Sequence, residues 1–298
     1  ALKEHSPVYG ETTEKAVIRA LRWLKETQRS DGAWGDQYPE VNCALGLLAF
    51  LAHGETPQSE EFGQTVLKAL IYLEDYFRTN DVLDNEYING IIAYALSEGY
   101  ALTQLPSIKG SAMRSVRRII DGQQEGGGWS YDYEKGDFYV VSVSGWQMQA
   151  LKAAYNARLP IDGLAEALNK GTTFLKKDAY RHGGYPEKGA YSLNKDSKEA
   201  KYTAMATLCL QLVGETECQE VKGALNWLNE KYTPKWPGEA VFDQCYEWYY
   251  INQAMFQGGS YYFKDWNRKF APMMVEHQKE EGYWDMPPGN RGTVHWKN

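Results

Sequence analysis

Several residues of this chain have types and spacings that could carry chemistry, and they gather just ahead of apolar segments. Asp84, Glu86 and Tyr87 precede one such segment. Asp137 and Tyr139 precede a second, which itself carries Trp146. Lys195 and Asp196 precede a third; Asp243 and Cys245 open a fourth, with Tyr249 one turn on; His295 stands where another would begin. Carboxylates paired at one opening can divide the work of general acid and general base, which makes Asp84, Glu86, Asp137, Asp196 and Asp243 the catalytic candidates. Aromatic faces stack on flat ligands and attract cations, so Tyr87, Tyr139, Trp146 and Tyr249 are binding candidates, with Cys245 and His295 beside them. Asp243, Cys245 and His295 are also chemically competent zinc ligands. Each has a plainer use: an aspartate caps a helix start, a thiol packs, an aromatic ring fills a core. No cysteine- or histidine-rich cluster reinforces the trio, so the expectation is no cofactor, with zinc there the alternative.

What must position these residues is a repeat. Gln28-Arg-Ser-Asp-Gly32-Ala-Trp34 recurs as Gln123-Gln-Glu-Gly-Gly127-Gly-Trp129 and as Gln278-Lys-Glu-Glu-Gly282-Tyr-Trp284. A weakened copy runs from Ala179 through Gly183 to Tyr185. Alignment on this phrase brings the preceding stretches into register at Trp23, Tyr72, Arg118, Phe174, Trp227 and Met273. The unit is about fifty residues, a length typical of paired-helix repeats.

Each unit holds two different helices. The first is amphipathic: Val17, Ala20, Leu21 and Leu24 form a stripe, with Arg19, Arg22 and Lys25 elsewhere. The second is apolar nearly all round, as in Cys43–Ala52, and is expected to be buried on every side. Glycine follows several of these segments, at Gly54, Gly99, Gly214 and Gly258, and marks helix ends. Alternating wet and dry helices predict an all-α fold, an α/α toroid. Its apolar helices, within 43–52, 89–98, 143–155, 202–213 and 245–256, would line the centre of one domain spanning 1–298. The sixth unit is expected to be incomplete, since the sequence given stops at Asn298 where its inner helix should begin, so either the chain was cut there or another segment closes the ring.

Composition narrows the function. Net charge is −7 and no basic cluster occurs, which argues against a nucleic-acid partner. Cys43, Cys209, Cys218 and Cys245 show no metal or disulfide spacing. No segment is long and apolar enough to cross a membrane. The first residues, Ala1-Leu-Lys, include no initiator methionine, which fits a trimmed, exported form. The outlying feature is aromatic content, with 22 Tyr, 10 Trp and 9 Phe, suited to a hydrophobic small-molecule partner.

The Gln-x-x-x-Gly-x-Trp phrase after a helix resembles the repeat of the prenyltransferase and squalene-cyclase superfamily, over Glu14 to Val294. Tyr249–Gly259 and Val143–Leu151 are similar to segments of bacterial squalene-cyclase-like proteins. The resemblance implies the toroid, and a structural role for Gln28, Gln123 and Gln278 with Trp34, Trp129 and Trp284 in tying units together. It also implies an Asp-x-Asp-Asp acid, which this chain lacks. Three functions follow as expectations. The first is an isoprenoid-type toroid holding a hydrophobic ligand in an aromatic cavity. The second is a carbohydrate-active or carbohydrate-binding toroid using carboxylates at the mouth. The third is a binding or scaffold module without catalysis. A dry closed cavity favours the first, an open cleft with carboxylates the second, and a centre plugged by Tyr and Trp the third.

Overall fold

The two kinds of helix foreseen from hydropathy alternate along the chain in a computed structural model. It describes residues 10–80, 85–133, 135–136, 139–180, 199–236 and 242–285, apart from the side chains of Phe242 and Asp243. The amphipathic helices are α1 (Glu11–Thr27), α3 (Gly63–Thr79), α5 (Pro106–Gly122), α7 (Leu164–Thr173), α9 (Gln219–Lys231) and α11 (Ser260–His277). Helix α7 runs on as a π-helical turn, Phe174–Ala179. The apolar helices are α2 (Pro39–His53), α4 (Glu86–Thr103), α6 (Val141–Asn156), α8 (Ala200–Leu212) and α10 (Phe242–Gln257). The described residues form no strand beyond an isolated bridge between Gln278 and Trp284. The apolar helices pack in the order α2, α4, α6, α8, α10, backed by the amphipathic ones, and α11 returns to touch α1. The fold is an α/α toroid.

Local chemistry explains the boundaries. Proline opens α2 and α5, where its missing N–H is harmless. The Asn85 side chain accepts from the Tyr87 and Ile88 N–H groups at the start of α4. Gly54 and Gly214 end α2 and α8 at φ 91° and 96°. Gly99 departs from its expected part. It lies inside α4, because a Cβ there would meet Leu70 Cδ2 at 2.8 Å, and the helix continues to Thr103.

The repeated phrase is one joint built three times. Gln28 Nε2 donates to Gly32 O at 2.9 Å and, across to the next outer helix, to Thr65 O of α3 at 3.0 Å. Gln123 Nε2 donates to Gly127 O and to Ala167 O of α7, both at 2.9 Å. Gln278 Nε2 donates to Gly282 O and to Ala16 O of α1, both at 2.8 Å. The indole N–H groups of Trp34, Trp129 and Trp284 donate back to Leu24, Ile119 and Met274 carbonyls at 2.7, 2.8 and 2.7 Å. Gly32, Gly127 and Gly282 sit at φ 101°, 93° and 107°. A Cβ on any of them would strike the carbonyl of Lys68, Lys170 or Arg19 on the next outer helix. One amide thus satisfies carbonyls of two units, and the third copy lands on α1, so the outer layer closes into a ring.

Two expectations about packing need correction. Helix α2 is not buried all round: Leu45 is 38% exposed, and Ala49 and Ala52 are exposed with it. It packs closely on an inner neighbour, α4, on one side only. On α1, Ala16 and Leu21 carry the buried face while Val17 stays exposed. The place expected to begin a sixth inner helix lies outside the described residues.

Candidate functional site

Glu86 and Tyr87 are consecutive at the start of α4, and the helix sends them in different directions. Glu86 shares a face with Asn89, whose Nδ2 donates to Ser115 O of α5 at 3.2 Å and to the Tyr133 hydroxyl. That face is covered by the segment after Trp129. Tyr133 lies where Gly122 leaves no room for a Cβ, with the Arg118 guanidinium 4.7 Å from its ring centre. Lys135 Nζ donates to the carbonyls of Asp121 and Gln123 at the end of α5. Beneath this strap Glu86 has no exposed surface, and neither carboxylate oxygen has a hydrogen-bond partner. Its backbone is pinned on both sides: its N–H donates to Tyr131 O at 3.1 Å, and its carbonyl accepts from Gln147 Nε2 at 2.6 Å. Burial, then the nearby Asp132 carboxylate, push the Glu86 pKa up to about 9. Lys135, the Ser130 backbone and Arg118 offset part of the rise, the Ser130 group without reaching hydrogen-bonding geometry. Glu86 is therefore a neutral acid at neutral pH, enclosed rather than presented to a ligand.

Tyr87 belongs to the other face. Tyr87, Tyr94, Glu98 and Ala101 follow one another at helical spacing, and each keeps some accessible surface. Helix α10 offers a stripe of Cys245 and Tyr249, with Tyr246 and Gln253 beside it; farther along, Asn252 accepts from Trp266 Nε1 and Phe256 packs on Phe263, both of α11. Between them α6 is buried from Val141 to Leu151. Its Trp146 ring meets Tyr87 at 6.2 Å, Tyr94 at 6.5 Å, Tyr249 at 5.7 Å and Tyr250 at 5.6 Å between centroids. Because α8 separates α6 from α10 in the ring, the Trp146–Tyr249 and Trp146–Tyr250 contacts cross the lumen and plug it. Gln149 Nε2 crosses at the same level to the Tyr250 hydroxyl at 3.3 Å. What remains half-exposed is a line of rings on α4 and α10, the trough, with Trp146 at its back. Burial raises the pKa of every tyrosine hydroxyl in it, so all stay protonated donors at neutral pH.

The carboxylate of the trough is Glu98. It forms no hydrogen bond or ion pair with a described residue, burial alone raises its pKa, and its charge is felt by Tyr94 and Tyr249. Sequence inspection, fixed on the mouth, missed Glu98 and Tyr94. The signal was present in the spacing of Tyr87, Tyr94, Glu98 and Ala101, which marks one face of a helix.

The other candidates divide. Trp146, Tyr87 and Tyr249 come together in the trough, and Cys245 lies a turn from Tyr249 on the same stripe. Tyr139 does not join them: it packs over Gly126 and Gly128 of the repeated phrase and against the Phe174 ring at 5.1 Å. Asp84, Asp137, Asp196 and His295 lie outside the described residues, as does the Asp243 side chain. The proposed zinc trio is thus represented only by Cys245, and among the described residues no three His, Cys, Asp or Glu side chains form a group that could hold a metal. No described helix is long and apolar enough to cross a membrane. Two surface grooves lie away from the trough, one of about 690 Å³ beside Tyr155, Arg158 and Asp162, the other of about 400 Å³ beside Trp23, Trp34 and Leu45.

Comparison with known proteins gives a fold and two directions. No protein-family model matches the chain. A squalene–hopene cyclase from Zymomonas mobilis is 26% identical over 74% of this chain, which spans 40% of that cyclase's length. Among solved structures, the GH76A α-1,6-mannanase of Salegentibacter sp. HEL1_6 matches with a TM-score of 0.71 over 94% of each chain at 11% identity. A D-mannose isomerase matches with a TM-score of 0.67 over 96% of this chain and 95% of its own, again at 11% identity. The two solved structures share the fold of this chain.

Proposed function

We propose that this toroid is a carbohydrate-binding protein whose sugar lies in the trough, against Tyr87, Tyr94 and Tyr249 with Trp146 behind. The observation that carries the proposal is the aromatic wall: the half-exposed rings of Tyr87, Tyr94 and Tyr249 gathered on Trp146. Sugar rings present flat C–H faces that pack on such rings, while their hydroxyls need donors and acceptors nearby. The tyrosine hydroxyls, Gln253 and Glu98 offer them. The solved structures with this fold include a mannanase and a mannose isomerase, both acting on sugars, which supports the same direction. Binding rather than hydrolysis is proposed, because one solved variant of the mannanase is inactive through replacement of two aspartates adjacent in sequence. This chain has no Asp-Asp pair.

A second occupant of the same trough, a flat isoprenoid, has the cyclase likeness in its favour. The Asp-x-Asp-Asp acid is missing, and Trp146 with Tyr249 and Tyr250 fills the lumen where a long chain would fold. Screening the protein on a glycan array, then titrating hits and squalene by calorimetry, separates the two. Tyr249→Ala should weaken the sugar at least about tenfold, the loss expected for one stacked ring. Squalene bound and no glycan bound would overturn the sugar in favour of the isoprenoid.

A further inference from the structure

The strap over Glu86 is held by few bonds. Its described residues, 130–133 with Lys135 and Gly136, belong to no helix or strand, and Tyr131, Asp132, Lys135 and Gly136 are exposed. Tyr133 is its wedge, set against Gly122 and beneath the Arg118 guanidinium. The other attachments are polar. Asn89 Nδ2 donates to the Tyr133 hydroxyl, and the Glu86 N–H to Tyr131 O at 3.1 Å. Lys135 Nζ donates to Gln123 O at 2.8 Å, and the Gly136 N–H to Gln124 Oε1 at 2.5 Å. A segment with one wedged ring and a handful of exposed hydrogen bonds opens at a lower cost than the whole fold.

What lies beneath ties that opening to a proton. The Glu86 side chain has no exposed surface, and neither oxygen has a hydrogen-bond partner to stabilise a charge. The titratable and charged groups facing it are Asp132, Tyr133 and Lys135 of the strap and Arg118 of α5. From Val141 to Leu151, α6 brings no charged side chain. Burial and Asp132 oppose ionisation of Glu86, while Lys135 and Arg118 favour it and lose. Tyr133, raised by burial, stays a neutral phenol. Once the strap lifts, the enclosure is gone, and Glu86 meets water as an ordinary carboxyl.

We infer that the strap is a pH-responsive lid: the protonated Glu86 carboxyl lets it close over α4 and α5, and loss of that proton releases it. Opening bares Glu86 and Asn89 and frees the first turn of α4, which presents Tyr87 to the trough. The inference needs no ligand in the trough. The sign follows from the two environments. Closed, the carboxyl titrates at about 9; open, near 4.5. Between those values the open form sheds a proton that the closed form keeps, so opening grows about tenfold per pH unit.

Hydrogen exchange of the intact chain and of Glu86→Gln at pH 6, 7 and 8, corrected for the intrinsic rate at each pH, tests this. The amides to follow are those of Glu86 and Gly136, whose bonds break when the strap lifts. Circular dichroism and the melting temperature check that the variant is folded. In the wild type the protection of both amides should fall about a hundredfold from pH 6 to pH 8, and stay well below that of α6 throughout. In Glu86→Gln it should not change with pH. Wild-type protection indifferent to pH, or the same slope in the variant, overturns the inference. Protection equal to that of α6 also overturns it, because the strap would then open only when the whole chain unfolds. Should Glu86→Gln fail to fold, Glu86→Met, of similar length and unable to ionise, takes its place with the same expectation.

Discussion

Glu86→Gln is the sharpest probe of the buried niche beneath the strap. The carboxyl titrates at about 9 in the folded chain against an ordinary 4.5. Between those values the folded protein keeps a proton that the unfolded chain releases, so stability falls as pH rises, by about 1.4 kcal/mol per unit at most. The contribution is unperturbed below the unfolded value and levels off above the folded one. From pH 6 to pH 8 this one group should cost about 2–3 kcal/mol. Glutamine has the same shape and does not titrate, so the variant lacks this slope while every other group titrates as before. Urea unfolding at half-unit steps from pH 5.5 to 8.5 gives the two curves. The variant should already exceed the wild type by about 1.4 kcal/mol near pH 5.5, and by increasingly more as pH rises. Parallel curves across the range would refute the reasoning and place an unseen donor or water on the carboxylate.

Further outcomes follow from the joints and from one histidine. Trp129→Ala removes a fully buried indole and should cost about 3–5 kcal/mol, read by thermal or urea unfolding. Gln278→Ala removes the bonds its Nε2 donates to Gly282 O and to Ala16 O of α1, and the two its Oε1 accepts from Arg19 of α1, a loss of about 1–3 kcal/mol. Hydrogen exchange in that variant should quicken in α1 and α11 more than in α5; uniform quickening would argue against a closing role. At His53 burial lowers the pKa, but hydrogen bonds to Glu55 (2.8 Å) and Glu14 (3.2 Å) outweigh it and the net shift is upward. Its stabilising contribution should be full below the unfolded value and fade as pH rises through the folded one. His53→Gln should abolish that portion of the pH dependence.

The fold was legible because its evidence is periodic. A phrase repeated with its glycine and tryptophan in place reports a joint, and the structure contains that joint atom for atom at Gln28, Gln123 and Gln278. The inner segments were found within a few residues, Gly99 misleading because a close approach to Leu70 and a helix end call for the same residue. The site was less legible. Sequence order placed Glu86 and Tyr87 together, yet a helix turns neighbours about 100° apart, sending one under the strap and the other into the trough. Tyr139 looked like a mouth residue, and its partner is Phe174, 35 positions away in the amphipathic layer. Glu98 was hidden in an apolar run, where its meaning depends on α6 and α10 crossing the lumen beside it. Contacts of that kind have no period for a sequence to display.

A crystal structure of the protein soaked at saturating concentration with the best oligosaccharide from the array puts the question directly. A sugar ring packed on Tyr249 and Tyr94 in the trough, with a polar contact to Glu98, is the expected result. A sugar in the groove beside Trp23 and Leu45 or beside Tyr155 and Arg158, with the trough empty, would contradict it.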